Sequence, residues 1–116
     1  MNPTAYILPT IDESITSICT INSGGYVVIG ALVILNVRFT LTGSVLAQAR
    51  LFNVPAPMAD SALSDGAAVV PVSMSSSTGD VDRSILISKI GNIFNPLSGA
   101  TIAAGTYIIS AMYIKQ

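Results

Sequence analysis

An alternation of apolar and polar residues between Leu32 and Thr42 is the clearest pattern in the sequence. Every odd position from 33 to 41 is apolar, whereas the even positions are apolar at Leu32 and Ile34 and then become asparagine, arginine and threonine. Successive side chains of a β-strand point to opposite faces of the sheet. The pattern therefore predicts a long strand with one fully buried face, while its other face is buried at one end and exposed to water at the other.

The residues before this strand predict that it is the second half of a β-hairpin. Tyr26–Ile29 is a short apolar run, and Gly30-Ala31 suits a two-residue type II′ turn, in which glycine takes the first position. Gly24-Gly25 predicts a further turn before the hairpin. Upstream of it, Ser14–Asn22 alternates isoleucine and cysteine with threonine and asparagine, which predicts a first strand with one face in water.

The rest of the chain predicts short strands separated by polar or proline-containing loops. Proline lacks the N–H group that a sheet ladder requires, so residues 54–57 are expected in an extended loop or edge segment, and Pro71 indicates an edge position. Small polar residues predict exposed loops at 59–66 and 75–82, and Gly91-Asn92 predicts a turn. Further strands are expected at Val45–Phe52, Ala67–Met74, Arg83–Ile90 and Gly105–Ile114.

The number and spacing of these strands predict an all-β fold, an antiparallel β-sandwich or jelly-roll-like domain. This domain is assigned to residues 14–116. Residues 1–13, which contain two prolines and the acidic pair Asp12-Glu13, are expected to form a lead-in or linker segment. Gly105–Ile114 is apolar on both faces, which predicts burial on both sides, by a second sheet and by a neighbouring subunit.

The scarcity of charge predicts that the protein assembles with other subunits. Charged residues make up 9% of the 116 residues, against about 25% in an ordinary soluble domain. A folded chain of this mass exposes about 6,000 Å², which five basic and six acidic side chains cover thinly. We therefore expect much of the surface to contact another subunit, because obligate interfaces resemble a domain core cut in half.

Residue types that are absent or scarce exclude several classes of site. The chain has no histidine, so histidine-based catalytic triads and most histidine-containing metal sites are excluded. The single cysteine, Cys19, is in phase with Ile15 and Ile21 and is expected in the core. A net charge of −1 without a basic patch disfavours nucleic-acid binding. The uncharged stretch Ser14–Val37 contains too many polar residues and glycines for a membrane-spanning helix. No cofactor or metal is predicted.

The candidate ligand-binding residues lie in predicted loops and at strand ends. Asp80 and Asp82 are interpreted first as solvated loop acids; a weak calcium site and catalysis are the alternatives, since a calcium loop needs more oxygen ligands at fixed spacing. The Tyr26 ring is expected to pack, with stacking on a sugar as the alternative. Arg38 is interpreted as a surface or intersubunit salt-bridge partner, with a ligand clamp as the alternative. The predicted binding site consists of Tyr26, Arg50, Asp80, Asp82, Arg83 and Asn92.

Four stretches of the chain, taken in order, resemble one known family. They are Ser23–Val37, the segment Val54-Pro55-Ala56-Pro57, Gly91-Asn92-Ile93 and the ending Ile102–Ile114. Their succession is similar to that in the C-terminal head domains of tailed-phage receptor-binding and baseplate proteins, and it extends over roughly Ser14 to the C-terminus.

The resemblance implies a compact β-sandwich head that forms a three-fold homotrimer at the tip of a tail fibre or baseplate. Such a head would adjoin an upstream tail or baseplate protein of the virion and bind host cell-wall saccharide without catalysis, and the family has no catalytic residues to transfer. The alternative function is a structural assembly module of a virion or tail that contacts only protein. A carbohydrate-active enzyme is disfavoured, because a glycosidase needs two carboxyl groups across a cleft.

Overall fold

The described part of the chain contains eight β-strands and one short 3-10 helix, joined by turns and loops. The computed structural model describes residues 6–46, 49–58, 68–76, 81–94 and 101–116, with the backbone alone at 68–69 and 81–84. The 3-10 helix has three residues, and no helix in these ranges is long and apolar enough to cross a membrane. The strands are β1 (Thr10–Ile11), β2 (Cys19–Ile29), β3 (Leu32–Leu41), β4 (Arg50–Asn53), β5 (Ala68–Ser76), β6 (Val81–Ser88), β7 (Asn92–Phe94) and β8 (Gly105–Ile114).

All eight strands belong to one antiparallel sheet with the order β1-β4-β7-β6-β5-β8-β3-β2. β8 pairs with β3 along its full length and with β5 along part of it, so it joins the β2–β3 hairpin to the β5–β6 pair. The sheet curls until it almost closes into a barrel around the core. The predicted antiparallel all-β class is confirmed; in the described ranges the strands form one continuous sheet.

The N-terminal segment contacts both edges of this sheet. Ile7 and Tyr26 exchange two backbone hydrogen bonds, of 2.8 and 2.9 Å, at the outer edge of β2. A few residues later, Thr10 and Ile11 form β1, which pairs antiparallel with β4. The described part of the segment that was expected to be a lead-in is therefore hydrogen-bonded to β2 and to β4, and it connects the two ends of the sheet.

The start of β2 differs from the strand predicted at Ser14–Asn22. Asp12 caps a 3-10 helix at Glu13–Ile15 by accepting a hydrogen bond from the backbone N–H of Ser14, 3.1 Å long. A side chain that satisfies a free N–H in this way stabilises the helical turn over an extended conformation. The first part of the predicted strand is therefore wrong, and β2 begins only at Cys19.

The turn predicted at Gly24-Gly25 is also wrong, because both glycines lie inside β2. The register with β3 shifts between Ile21 and Ser23, which indicates a bulge just before them. Gly24 has φ +84°, and a Cβ atom there would overlap the carbonyl oxygen of Asn36. Glycine is thus required at this position by the close approach of β2 to β3, and the chain does not reverse there.

The central hairpin and its buried face are confirmed. Ile29 pairs with Leu32 across the two-residue turn at Gly30-Ala31. All five odd positions from 33 to 41 are buried. On this inner face Phe39 packs edge-on against Phe52, with ring centroids 5.1 Å apart, and lies 5.9 Å from Tyr107. The core thus joins residues of β3, β4 and β8.

β8 begins and ends where the sequence predicts, but its two faces differ. Tyr107, Ile109 and Tyr113 are buried in the core. Ile108, Met112 and Ile114 point to the other side and are exposed. The prediction of burial on both faces is therefore wrong for the single chain, because no described strand covers the second face.

Pro71 was predicted at an edge, but β5 is an inner strand between β6 and β8, and only the part that contains Pro71 lacks a partner in β8. Pro71 pairs with Leu86 of β6, whereas the pairing of β5 with β8 covers only Ser73–Ser76. The missing N–H of the proline therefore costs no bond to β8. Three further strands differ in their bounds: β4 is shorter than the strand predicted at 45–52, β5 spans Ala68–Ser76 instead of 67–74, and β6 spans Val81–Ser88 instead of 83–90.

Candidate functional site

The outer face of β2, β3 and β8, opposite the core, divides into two halves along the strands. β3 lies between the other two strands, and the pairing sets its even residues beside their partners in rows. Leu32 lies between Ile29 and Ile114, and Ile34 lies beside Met112. We call these five residues the apolar half: Ile29, Leu32, Ile34, Met112 and Ile114.

The rows at the other end of the same face are mainly polar. Asn36 lies beside Ser110, Arg38 lies between Ser23 and the apolar Ile108, and Thr40 lies beside Thr106. The bulge in β2 adds Asn22 next to this set. We call these residues the polar half: Asn22, Ser23, Asn36, Arg38, Thr40, Thr106 and Ser110.

Two open depressions lie over the polar half and form a shallow groove. One has a volume of about 310 Å³ and the other about 460 Å³. Arg38 and Ser23 line both depressions, so these two residues lie where the depressions meet. The exposed ring of Tyr6, from the N-terminal segment, lines the first depression together with Asn36. The groove thus combines an aromatic ring, the aliphatic side chain of Ile108, a guanidinium group, amides and hydroxyl groups.

A chain of hydrogen bonds fixes the second depression. The Thr40 hydroxyl donates to Oδ1 of Asn22 at 2.8 Å, and the hydroxyl oxygens of Thr40 and Thr106 are 3.0 Å apart. A hydroxyl group has one proton to donate. Because Thr40 gives its proton to Asn22, Thr106 must donate to Thr40. The bonds link β2, β3 and β8, and they orient the Asn22 amide.

Arg38 is the only charged residue among the described residues that line the groove. It is exposed and lies between Ser23 and Ile108 on the neighbouring strands. No carboxylate contributes to the described lining, so the guanidinium meets only neutral groups there. Among the described residues of the groove, its positive charge faces no opposite charge.

The predicted site residues do not form the groove. Tyr26 pairs with the inward-facing Leu35 and packs, half-buried, against the core. Arg50 is exposed at the start of β4, and Asn92 is buried at the start of β7, the neighbouring strand. The backbones of Asp82 and Arg83 lie in β6, so Asp82 is not in the predicted loop. Asp80 lies outside the described residues.

Sequence reasoning identified Arg38 as a surface cation but missed the residues around it. The alternation of β3 predicted that Asn36 and Thr40 face water, so the residues that β3 contributes to the groove could be predicted from the sequence. Thr106 and Tyr6 had none, because their places depend on the pairing of β8 with β3 and of the N-terminal segment with β2.

The described residues offer binding groups and few reactive ones. Burial raises the pKa of the Cys19 thiol to about 11, so the thiol is protonated at neutral pH. Burial, and then the nearby Tyr26, hold the pKa of Tyr113 well above its ordinary value, and its hydroxyl donates to the Pro55 carbonyl at 2.7 Å. In these ranges no three acidic or cysteine residues cluster as a metal site would require.

No family model, no curated protein and no solved structure matches the chain. The groove on the outer face is therefore the observation from which a function can be argued.

Proposed function

We propose that the protein is a receptor-binding head that adheres to host cell-surface saccharide without catalysis. The observation that supports this function is the groove: the Tyr6 ring and the Asn36 amide line its first depression, the Asn22 amide lines its second, and Arg38 lines both. A saccharide ring offers an apolar face to an aromatic side chain and hydroxyl groups to amides. An open groove of this kind suits an extended polymer better than a small enclosed substrate.

We propose further that the head acts as a homotrimer, in a jelly-roll-like arrangement, at the tip of a phage tail or baseplate and next to an upstream tail protein. The apolar half supports self-association. Met112 is 67% exposed and Ile29 and Ile114 are each 46% exposed, and none of the five residues is charged. An exposed face without charge leaves water when it packs against another copy, and the chain has few charged residues elsewhere to keep copies apart. In an assembly several grooves would act together, which raises avidity without new contacts.

Binding to purified bacterial cell walls tests the saccharide function. Walls from a panel of bacteria are incubated with the protein, and soluble saccharides released from the same walls serve as competitors. We expect specific walls to retain the protein and the saccharides to displace it. Tyr6→Ala and Asn36→Ala should reduce retention about tenfold each, since both remove direct contacts in a small site.

Arg50→Ala is the matched control, because Arg50 is exposed on β4 and does not line the groove. Retention that depends on Arg50 and not on Tyr6 would refute the groove as the site. The alternative function, a structural module of a virion or tail that contacts only protein, is favoured by the apolar half. It predicts that no wall retains the protein while self-association persists.

A further inference from the structure

We infer that the groove selects saccharides that carry an anionic group, a carboxylate or a phosphate, and that this group binds between Arg38 and the amide of Asn22. This inference rests on the proposed saccharide function and names the chemical class of the ligand. It is carried by the balance of hydrogen-bond donors and acceptors in the groove.

The threonine hydrogen bonds occupy the amide oxygen of Asn22 and leave its N–H groups to donate to a ligand. Oδ1 of Asn22 accepts the Thr40 proton at 2.8 Å, so this oxygen faces Thr40. The Nδ2 group, with its two N–H bonds, then points away from Thr40. The Thr40 hydroxyl has no second proton to give, so the Thr106 hydroxyl donates to it over 3.0 Å. This bond keeps the Thr40 proton directed at Asn22.

Arg38 adds further donors next to this amide. A guanidinium group has five N–H donors and no acceptor, and it binds carboxylate and phosphate oxygens with two parallel bonds. Arg38, Ser23 and Asn22 all line the second depression. The side chains of Arg38 and Asn22 therefore border the same depression, and no carboxylate is part of its described lining.

A neutral saccharide finds neutral acceptors in the groove, the amide oxygen of Asn36 and the hydroxyl oxygens of Ser23 and Thr106, but no charged acceptor among the described residues. Each sugar hydroxyl donates one proton and needs an acceptor for it, and carboxylates are the strongest acceptors that proteins offer. An anionic group has the opposite need, because it accepts several hydrogen bonds and is attracted by the positive charge of Arg38, which no carboxylate of the described lining faces. The groove therefore favours an acidic or phosphorylated saccharide over its neutral counterpart.

The test compares four probes by NMR titration of the labelled full chain: methyl glucoside, methyl glucuronide, glucose 6-phosphate and inorganic phosphate. The two charged sugars should bind about tenfold more tightly than methyl glucoside at low salt, since a hydrogen bond to a charged group is about twice as strong as a neutral one. Their advantage should shrink as salt is added, because the site is open to solvent. Comparison of the two charged sugars identifies which anion the site prefers.

Three variants test whether Arg38 and Asn22 cause the preference for charged sugars. Arg38→Gln removes the charge at similar length and should abolish the preference for charged sugars. Asn22→Asp keeps an acceptor for Thr40 but replaces the amide donor with a carboxylate. The affinity for both charged sugars should therefore fall by about tenfold or more. Lys115→Gln removes a positive charge just after β8, outside the described lining of both depressions, and should leave all affinities unchanged. The dispersion of the NMR spectrum shows directly whether each variant is folded.

Each outcome decides the inference. Equal affinity for neutral and charged sugars, or a preference that survives Arg38→Gln, overturns it and leaves the proposed saccharide function standing. If inorganic phosphate binds as tightly as glucose 6-phosphate, the sugar contributes nothing and the saccharide selectivity is refuted. If the folded protein binds none of the sugars, the inference fails; only absence of retention on cell walls as well removes the proposed function.

Discussion

The apolar and polar halves of the outer face share the same three strands, yet they offer opposite chemistry. In the apolar half, β3 places Leu32 and Ile34 among other aliphatic side chains. A few residues along the same strand, Asn36 and Thr40 lie beside polar residues, and Arg38 lies between Ser23 and Ile108. Burial away from water lowers the free energy of the side chains in the apolar half, whereas those in the polar half need hydrogen-bonding partners if they are buried.

The inner face of the same strands shows no such division. The inward-facing residues of β3 are buried under both halves, from Val33 to Leu41. The core beneath the face is thus continuous, and the two halves differ only in the residues that do not contribute to it. Outer-face substitutions should therefore change binding or assembly, while inner-face substitutions should change folding.

The largest effect is expected from Phe39→Ala on the inner face. Phe39 is fully buried and contacts the rings of Phe52 and Tyr107, so its truncation leaves a cavity between three strands. We expect the free energy of unfolding to fall by about 3–5 kcal/mol, as measured by urea denaturation. Arg38→Ala, one residue away on the outer face, should change it by less than about 0.5 kcal/mol. Similar losses from both would contradict the division between the faces.

The next effect concerns the close approach of β2 to β3 beneath the groove. In Gly24→Ala the new Cβ would overlap the Asn36 carbonyl oxygen, at a backbone φ of +84°. We expect a loss of about 2–4 kcal/mol in the free energy of unfolding. Gly30→Ala is the control, since it also has positive φ, +61°, but no atom within 4 Å of its Cβ, so it should cost only about 1 kcal/mol. Equal losses of unfolding free energy in the two variants would show that the positive φ, and not the contact with Asn36, causes the loss.

A smaller effect, on assembly alone, should distinguish the two halves directly. Met112→Lys places a charge in the apolar half and should weaken the proposed self-association at least about tenfold, because a buried unpaired charge is costly. Light scattering coupled to size-exclusion chromatography measures the mass. Ser110→Lys adds the same charge two residues away in the polar half and should leave the mass unchanged. A wild-type protein that is monomeric at all concentrations would refute the proposed trimer.

The smallest effect is expected from Thr106→Val, which removes one hydroxyl of nearly the same shape. The bond to Thr40 is lost, so the Asn22 amide should be held less firmly, and saccharide affinity should fall about threefold to fivefold. Stability should change little, because Thr106 is only half-buried. Ser110→Ala removes a hydroxyl from the same strand that does not line the depressions, and it should not affect binding.

Local patterns in the sequence were sufficient to predict part of the fold. The alternation from Leu32 onward predicts β3 and its buried face, the apolar run Gly105–Ile114 predicts β8, and Gly30-Ala31 predicts the hairpin turn. Each of these depends on neighbours a few residues apart, since side-chain direction in a strand repeats every two residues. The polar end of β3, including Arg38, was visible for the same reason.

Only the tertiary structure decided what surrounds those strands. Thr40 and Thr106 are 66 positions apart and meet because β8 pairs with β3 in one particular register. Tyr6 reaches the groove because Ile7 bonds to the edge of β2. No local pattern encodes such pairings, because they depend on which distant strands bury their apolar faces together. The sequence therefore determined which side chains of β3 face water, and the pairing of distant segments determined the groove that they form.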